Sequence, residues 1–153
     1  MEYGTIEREL FVEASPEIVF EVVSSPDHVK QWWPDDASYE VTPGAEGRIT
    51  FGDGDAGGTV VAFTVVEARP PTRFMFRWTH PAGDTATTGN SLLVTFDLTP
   101  RGGGTLLRMT ETGFREMGWE AAVLEQQYRE HHTGWDFYLP RLTPYLATLQ
   151  VQP

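Results

Sequence analysis

The chain has 153 residues, of which 40% are hydrophobic, and it carries a formal net charge of −11. This length and composition predict one globular domain spanning residues 1–153. The charge excludes nucleic acid and an anionic membrane surface as main partners, because both would repel an acidic protein. The chain contains no cysteine, which excludes disulfides, thiolate metal sites and cysteine nucleophiles.

The sequence contains no apolar run that approaches the roughly 20 residues of a membrane span. Its first residues, from Met1 to Glu7, include neither the basic region nor the apolar region of a signal peptide. We therefore expect a cytoplasmic protein that does not insert into membranes.

The chain starts with a strand and two short helices. Polar and apolar residues alternate over Thr5–Glu13, which is typical of a half-buried strand. The segment Ser15–Ser24 opens with Ser, Pro and Glu, which favour the cap and first turn of a helix. The same signals start a second, shorter helix at Ser25, which we expect to end near Trp32-Trp33-Pro34.

Six further strands are predicted, separated by turns rich in glycine, proline and aspartate. They cover Ser38–Val41, Arg48–Phe51, Gly58–Glu67, Arg73–Thr79, Ser91–Leu98 and Thr105–Thr112. The turn Gly52–Gly58 resembles half of a calcium loop but lacks its closing Glu, so we interpret it as a hairpin loop. Seven strands with helices packed on one side predict an α+β domain.

The segment Glu120–Leu149 has the spacing of one long amphipathic helix, with apolar or aromatic residues every three or four positions. The stripe consists of Leu124, Tyr128, His131, Trp135, Tyr138, Leu139, Leu142, Leu146 and Leu149. Imidazole and aromatic groups stand where a plain core helix would carry leucine, which favours a covered pocket for a small, partly apolar molecule. Pro140 and Pro144 fall inside this helix and predict a kink between Asp136 and Pro140.

Trp135 is predicted to lie on the covered face of this helix, against Phe76 and Val94 of the sheet. The preceding residue, Gly134, has no side chain and would let a neighbouring backbone or ring approach closely. A large aromatic at position 135 should therefore be buried.

Glu111 and His131 are the candidates for acid–base chemistry. The period of two in Thr105–Thr112 places Glu111 on the inner face of the sheet, together with Met109. A carboxylate in that position is unfavourable unless it is paired, and His131 on the covered side of the helix can pair with it. The pair is either an anchor between helix and sheet or an acid–base pair at the end of the pocket.

We predict neither a metal site nor a cofactor. His131 and His132 are adjacent on a helix, so they diverge around its axis and cannot bind one ion together. His28 and His80 are distant in sequence, and no serine lies in a G-x-S-x-G nucleophile elbow.

Four segments, in order along nearly the whole chain, have the features of a known superfamily. They are the strand-to-helix step Ala14–Phe20, the helix with an aromatic pair Ser25–Trp33, the E-x-x-P-P-x-R turn and strand Glu67–Trp78, and the H-x-x-G-W segment His131–Trp135. The chain resembles the START-like, helix-grip superfamily (SRPBCC), in the branch of the heat-shock-protein-90 ATPase activator homologues. The resemblance implies a curved antiparallel sheet of about seven strands around a long C-terminal helix.

The expected function is non-catalytic binding of a small hydrophobic or aromatic molecule between sheet and helix. The candidate lining residues are Trp33, Phe63, Phe76, Trp78, Met109, Glu111, His131, Trp135 and Tyr138. Two alternatives that the resemblance implies stay open. One is a cyclase or aromatase that acts on a polyketide-type substrate through Glu111 and His131, and the other is a module that regulates a chaperone ATPase. A homodimer is also left open.

Overall fold

The computed structural model describes residues 4–52, 59–81 and 83–150, and this part of the chain forms seven strands and four α-helices. The strands are β1 Thr5–Val12, β2 Asp36–Ser38, β3 Glu46–Phe51, β4 Thr59–Arg69, β5 Arg73–Trp78, β6 Leu92–Arg101 and β7 Gly104–Thr112. The helices are α1 Pro16–Ser24, α2 Pro26–Trp32, α3 Ala121–Tyr138 and α4 Leu142–Gln150.

The seven strands form one antiparallel sheet in the order β1-β7-β6-β5-β4-β3-β2. Strands β2 to β7 follow one another as neighbours, and β1 joins the sheet beside β7. The pairing of β4 with β5 shifts register between Val65 and Glu67, as at a β-bulge. The α+β class, the seven strands and the two short helices after β1 confirm the helix-grip fold that the resemblance implied.

The inner face of the sheet carries the core, because alternate residues of each strand point the same way. In β5 the buried residues are Phe74, Phe76 and Trp78, and in β6 they are Leu92, Val94, Phe96 and Leu98. The two short helices cover one end of this face. The helix α1 begins where the sequence predicted, since the Ser15 side chain accepts a hydrogen bond from the backbone N–H of Ile18 at 3.4 Å.

Two sequence predictions about loops need comment. The strand predicted at Ser38–Val41 is wrong in its bounds, because β2 ends at Ser38. Beyond that point the Tyr39 side chain turns inward and its hydroxyl donates a hydrogen bond to the Ser24 carbonyl at 2.7 Å, so the chain leaves the sheet edge. Positions 53–58, which hold most of the predicted hairpin loop, lie outside the described residues.

The closing helix is interrupted where Pro140 predicted a kink. Helix α3 ends at Tyr138, a 3-10 turn follows over Leu139–Arg141, and α4 begins at Leu142. Pro144 lies in the first turn of α4, where a missing N–H disturbs no helical hydrogen bond. No helix among the described residues is long and apolar enough to cross a membrane.

Candidate functional site

Five aromatic rings fill the space between the inner face of the sheet and α3. The ring centroid of Trp33 lies 4.9 Å from that of Trp78, 5.1 Å from that of Trp135 and 5.6 Å from that of Phe76. Phe63 stacks on Phe76 at 4.4 Å. All five side chains are buried. We call these residues the aromatic cluster, and they are five of the predicted lining residues in direct contact with one another.

Glu111 lies beside this cluster with 0% of its surface exposed. Its Oε1 accepts the indole N–H of Trp135 at 2.8 Å, and its Oε2 accepts that of Trp78 at 2.7 Å. The Nδ1 atom of His131 lies 3.0 Å and 3.1 Å from the two oxygens. Glu111, Trp78, His131 and Trp135 together form what we call the Glu111 centre. The pairing of Glu111 with His131 is the one that the sequence predicted.

The local structure of three elements brings these side chains together. Glu111 points inward from β7, which has a neighbouring strand on each side. Trp78 is the last residue of β5. His131 and Trp135 are four positions apart in α3, and this spacing puts both on one face of the helix. The Glu111 centre therefore joins two inner strands of the sheet, β5 and β7, to the closing helix.

His131 has one nitrogen bound and one available. A carboxylate only accepts hydrogen bonds, so the simplest assignment places the proton of the neutral ring on Nδ1, facing Glu111. The Nε2 atom forms no hydrogen bond with any described residue, and the side chain is 13% exposed. Its ring centroid lies 5.2 Å from that of Trp78 and 5.5 Å from that of Phe114. An imidazole oriented in this way can accept a proton or a hydrogen bond from a bound molecule.

The two other predicted lining residues belong to neither the aromatic cluster nor the Glu111 centre. Met109 is fully buried on β7. Tyr138 is half-buried at the end of α3, where its ring lies 6.0 Å from that of Phe51 and the Arg141 guanidinium lies 5.7 Å from its centroid. Their roles in binding stay predictions.

Two neighbours of the site were not among the predicted lining residues. Phe96 on β6 packs 6.4 Å from Trp135, and the period of two in this strand predicts its place on the inner face. Phe114 follows β7 and packs against His131. It lies after the end of a strand, where periodicity assigns no face.

Trp135 is 2% exposed, which confirms that it lies on the covered face. Among the described residues, its ring contacts Trp33, Trp78 and Phe96. The predicted close approach at Gly134 is wrong, since a Cβ added there would have no atom within 4 Å. Adjacent residues point about 100° apart around a helix, so Gly134 is turned away from the cluster that holds Trp135.

Two grooves lie on the outside of the protein. One of about 960 Å³ runs over β3 and β4 and is lined in part by Arg48, Ala62 and His80. The other, of about 880 Å³, follows α3 from Ala122 to Tyr138. Among their described lining residues, neither groove contains a member of the aromatic cluster or Glu111. The space predicted as a pocket is occupied by the aromatic rings themselves.

Two tyrosines near the site, the buried Tyr39 and the half-buried Tyr145, have raised pKa values. Burial raises the pKa of Tyr39 far above its usual range. Burial also raises the pKa of Tyr145 on α4, whose hydroxyl forms a hydrogen bond of 2.6 Å with Nδ1 of His28 on α2. This bond links α4 to the helix that precedes Trp33.

The histidines do not form a metal site in the described structure. His131 turns toward Glu111, whereas His132 faces Asp136, with 3.6 Å between Nδ1 and Oδ2. The two rings diverge as their adjacency in a helix predicted. Within residues 4–52, 59–81 and 83–150, no group of three or more histidine and acidic side chains is arranged to hold a metal ion.

Three solved structures illustrate the relatives of this fold. Protein MLL2253 from Mesorhizobium loti is 21% identical with a TM-score of 0.73, and the match covers 97% of this chain and 99% of that one. The Aha1 dimer from Colwellia psychrerythraea is 21% identical with a TM-score of 0.69, covering 91% and 92%. DynU16, a protein in the dynemicin biosynthetic locus, is 27% identical with a TM-score of 0.71, covering 95% of this chain and 48% of that one.

The first two likenesses show a shared fold. None of the curated proteins matches the sequence. A family profile, described as Activator of Hsp90 ATPase homolog 1-like protein, matches residues 13–147. This match extends from the end of β1 to α4, so it includes every residue of the Glu111 centre. The chain therefore belongs to the Activator of Hsp90 ATPase homolog 1-like protein family.

Proposed function

We propose that the protein binds a small hydrophobic or aromatic molecule between the inner face of the sheet and α3. The observation that carries this proposal is the Glu111 centre, a buried carboxylate among aromatic rings with one imidazole nitrogen left over. Apolar walls with a few convergent polar groups are the usual form of a small-molecule site. A fully buried carboxylate is costly for the stability of a core even when it is hydrogen-bonded, so its presence here favours a role in binding.

The packing of α3 supports binding beneath it. On its covered stripe only Trp135 is buried, whereas Leu124, Tyr128, His131 and Tyr138 are half-buried. The sheet residues that face the helix, such as Met109, are fully buried. Most of the stripe on α3 is therefore partly accessible, although Trp135 itself is tied to the sheet through Glu111. A relative in a biosynthetic locus, DynU16, agrees with a role that involves a small molecule.

A second candidate function is acid–base catalysis of the cyclase or aromatase type. It is favoured by one specific observation, that Nδ1 of His131 faces the Glu111 carboxylate while Nε2 has no partner among the described residues. In this role Nε2 would take a proton from the bound molecule, and Glu111 would orient the ring and stabilise the imidazolium. An activity assay with a polyketide-type substrate tests this function. Turnover by the wild type that is lost in His131→Phe would indicate catalysis, whereas no turnover by the wild type would leave binding alone.

Two further proposals rest on the relatives alone. The family description suggests regulation of a chaperone ATPase, and the dimeric relative from Colwellia psychrerythraea suggests a homodimer. Sedimentation equilibrium would test the homodimer, and a chaperone ATPase assay would test the regulation. The cytoplasmic location also stays a proposal.

The binding proposal is tested by titration with a neutral fluorophore, N-phenyl-1-naphthylamine, because a neutral probe is not repelled by the acidic protein. We expect saturable binding at a single site, with clearly weaker binding in His131→Phe. The matched control is Phe137→Ala, which removes a ring that is 63% exposed on α3. Absence of saturable binding, or equal binding by His131→Phe and the wild type, would exclude this site.

A further inference from the structure

We propose that, in the free protein, the Trp33 ring occupies the position that the ring of the ligand takes in the complex. The site therefore selects a planar aromatic molecule of at least indole size. This inference rests on the proposed function. The Trp33 ring lies within the aromatic cluster, 4.9 Å from Trp78 and 5.1 Å from Trp135. A planar molecule that took its place would contact the same two indoles.

Trp33 is held by packing alone. Trp32 donates its indole N–H to the Val22 carbonyl at 2.9 Å, and Trp78 and Trp135 donate theirs to Glu111. The indole N–H of Trp33 forms no hydrogen bond with the described residues, and it is not one of their fully buried polar groups, so water can reach it. Moving Trp33 out of the cluster therefore breaks no side-chain hydrogen bond, whereas moving any of the other three does.

The backbone at Trp33 also permits this movement. Trp33 follows the last residue of α2 and has φ −120° and ψ −92°, which is neither helix nor strand. Trp33 is followed by Pro34 and, shortly after, by β2, a three-residue strand at the edge of the sheet. Its main contacts, Trp78 and Trp135, belong instead to β5 and α3. The ring can leave its place without disturbing the hydrogen bonds between strands.

The surroundings of Trp33 indicate the chemistry of the molecule. Trp78 contacts both Trp33 and His131, with ring centroids 4.9 Å and 5.2 Å from its own. A fused aromatic ring in the place of Trp33, with a polar substituent directed along Trp78, would bring that substituent toward the His131 ring. Aromatic walls favour aromatic ligands beyond the burial of area, because ring faces and edges carry opposite partial charges. A saturated molecule of the same shape lacks this contribution.

Displacement predicts a measurable competition. When the site is free in only a small fraction of the molecules, the apparent affinity equals the intrinsic affinity multiplied by that fraction, so it is much weaker. Replacing Trp33 with a smaller side chain removes the competitor, so Trp33→Leu should bind the ligand more tightly than the wild type does.

Calorimetry with 2-naphthol and its saturated analogue, decahydro-2-naphthol, tests both parts of the proposal. We expect 2-naphthol to bind Trp33→Leu roughly tenfold more tightly than the wild type, and to prefer the wild-type site over the saturated analogue. Trp119→Leu, a control at a half-buried tryptophan outside the cluster, should bind as the wild type does. Equal or weaker binding by Trp33→Leu overturns the role of Trp33 but leaves the proposed function intact. Equal affinity of the two probes overturns the aromatic class, and no binding of either probe overturns the proposed function as well.

A second measurement uses the wild-type protein and does not depend on how a variant folds. In protein labelled with 5-fluorotryptophan, the fluorine signal of Trp33 is assigned by its loss in Trp33→Phe. On saturation with 2-naphthol, this signal should move and gain the H₂O/D₂O isotope shift of an exposed ring. The Trp32 signal should lack that shift. A Trp33 signal that stays protected in the complex overturns the displacement.

Discussion

Trp135 donates its indole N–H to Oε1 of Glu111 across 2.8 Å, and the two side chains are 2% and 0% exposed. The bond ties α3 to β7, an inner strand of the sheet. The same carboxylate accepts a bond from Trp78 on β5. One buried side chain therefore fixes the closing helix over the sheet and also supplies the polar end of the proposed site.

Replacing Glu111 with glutamine should destabilise the protein by roughly 2–4 kcal/mol, since an amide N–H₂ would then face an N–H donor that now meets an oxygen. Urea denaturation measures this as a lower free energy of unfolding. Glu116→Gln, at an exposed position after β7, is the matched control and should change stability by less than about 0.5 kcal/mol. Equal effects at the two positions would show that the Glu111 bonds add nothing.

Trp135→Ala should cost roughly 3–5 kcal/mol, as other large-to-small core changes do. Trp119→Ala should cost clearly less, because Trp119 is half-buried and lies outside the aromatic cluster. Comparing the two variants also distinguishes the fluorescence of Trp135 from that of Trp119. Emission from Trp135 should change on ligand binding and emission from Trp119 should not, so a response carried by Trp119 alone would place the ligand elsewhere.

The pairing of Glu111 with His131 could be predicted because two simple periodicities each fix a face. The period of two orients Glu111 in β7, and the three-to-four spacing orients His131 in α3. The bond from Trp78 to Glu111 could not be predicted in the same way. Trp78 lies on β5, which is separated from β7 by β6, and a contact across a strand depends on the curvature of the sheet.

The sequence pattern also could not predict that aromatic rings would fill the proposed site. Periodicity shows that Trp33, Phe76 and Trp135 face inward, but it does not show whether facing side chains touch or leave a gap between them. The same limit applies at β2, where the inward turn of Tyr39 ends a strand that alternation alone would continue.

Gly134→Ala should stabilise the protein by about 0.5–1 kcal/mol, because alanine favours the helix and the added Cβ meets no atom within 4 Å. Thermal unfolding monitored by circular dichroism checks this as a higher melting temperature. Gly113→Ala is the contrasting variant. Its φ of +107° disfavours a side chain, and the added Cβ would lie 3.0 Å from the Ser91 carbonyl oxygen, so stability should fall. A loss of stability at Gly134 would instead indicate close packing there.

The stability of the protein should fall at alkaline pH because burial raises the pKa of Tyr39 above its ordinary value of 10.0. Below that value both the folded and unfolded chains keep the phenol neutral, and the contribution is fully present. Above it the unfolded chain ionises first, so the free energy of unfolding decreases by roughly 1.4 kcal/mol per pH unit for this one group.

Tyr39→Phe tests this assignment. The variant should lose about 1 kcal/mol at neutral pH, since the hydroxyl bond to the Ser24 carbonyl is gone. Its stability should then decline less steeply than that of the wild type above the ordinary tyrosine pKa. Urea denaturation across this range measures both slopes, and parallel slopes would mean that Tyr39 does not control the alkaline transition.

The indole N–H groups of Trp78 and Trp135 report directly on the Glu111 centre, because both donate to its carboxylate. Their signals can be followed in ¹H–¹⁵N correlation spectra while N-phenyl-1-naphthylamine is added. If the molecule binds between sheet and helix, both signals shift and saturate together, and the Trp119 signal does not move. If both signals stay fixed while backbone amides of the outer groove at Arg48 and Ala62 shift, the ligand binds outside and the proposed site is wrong.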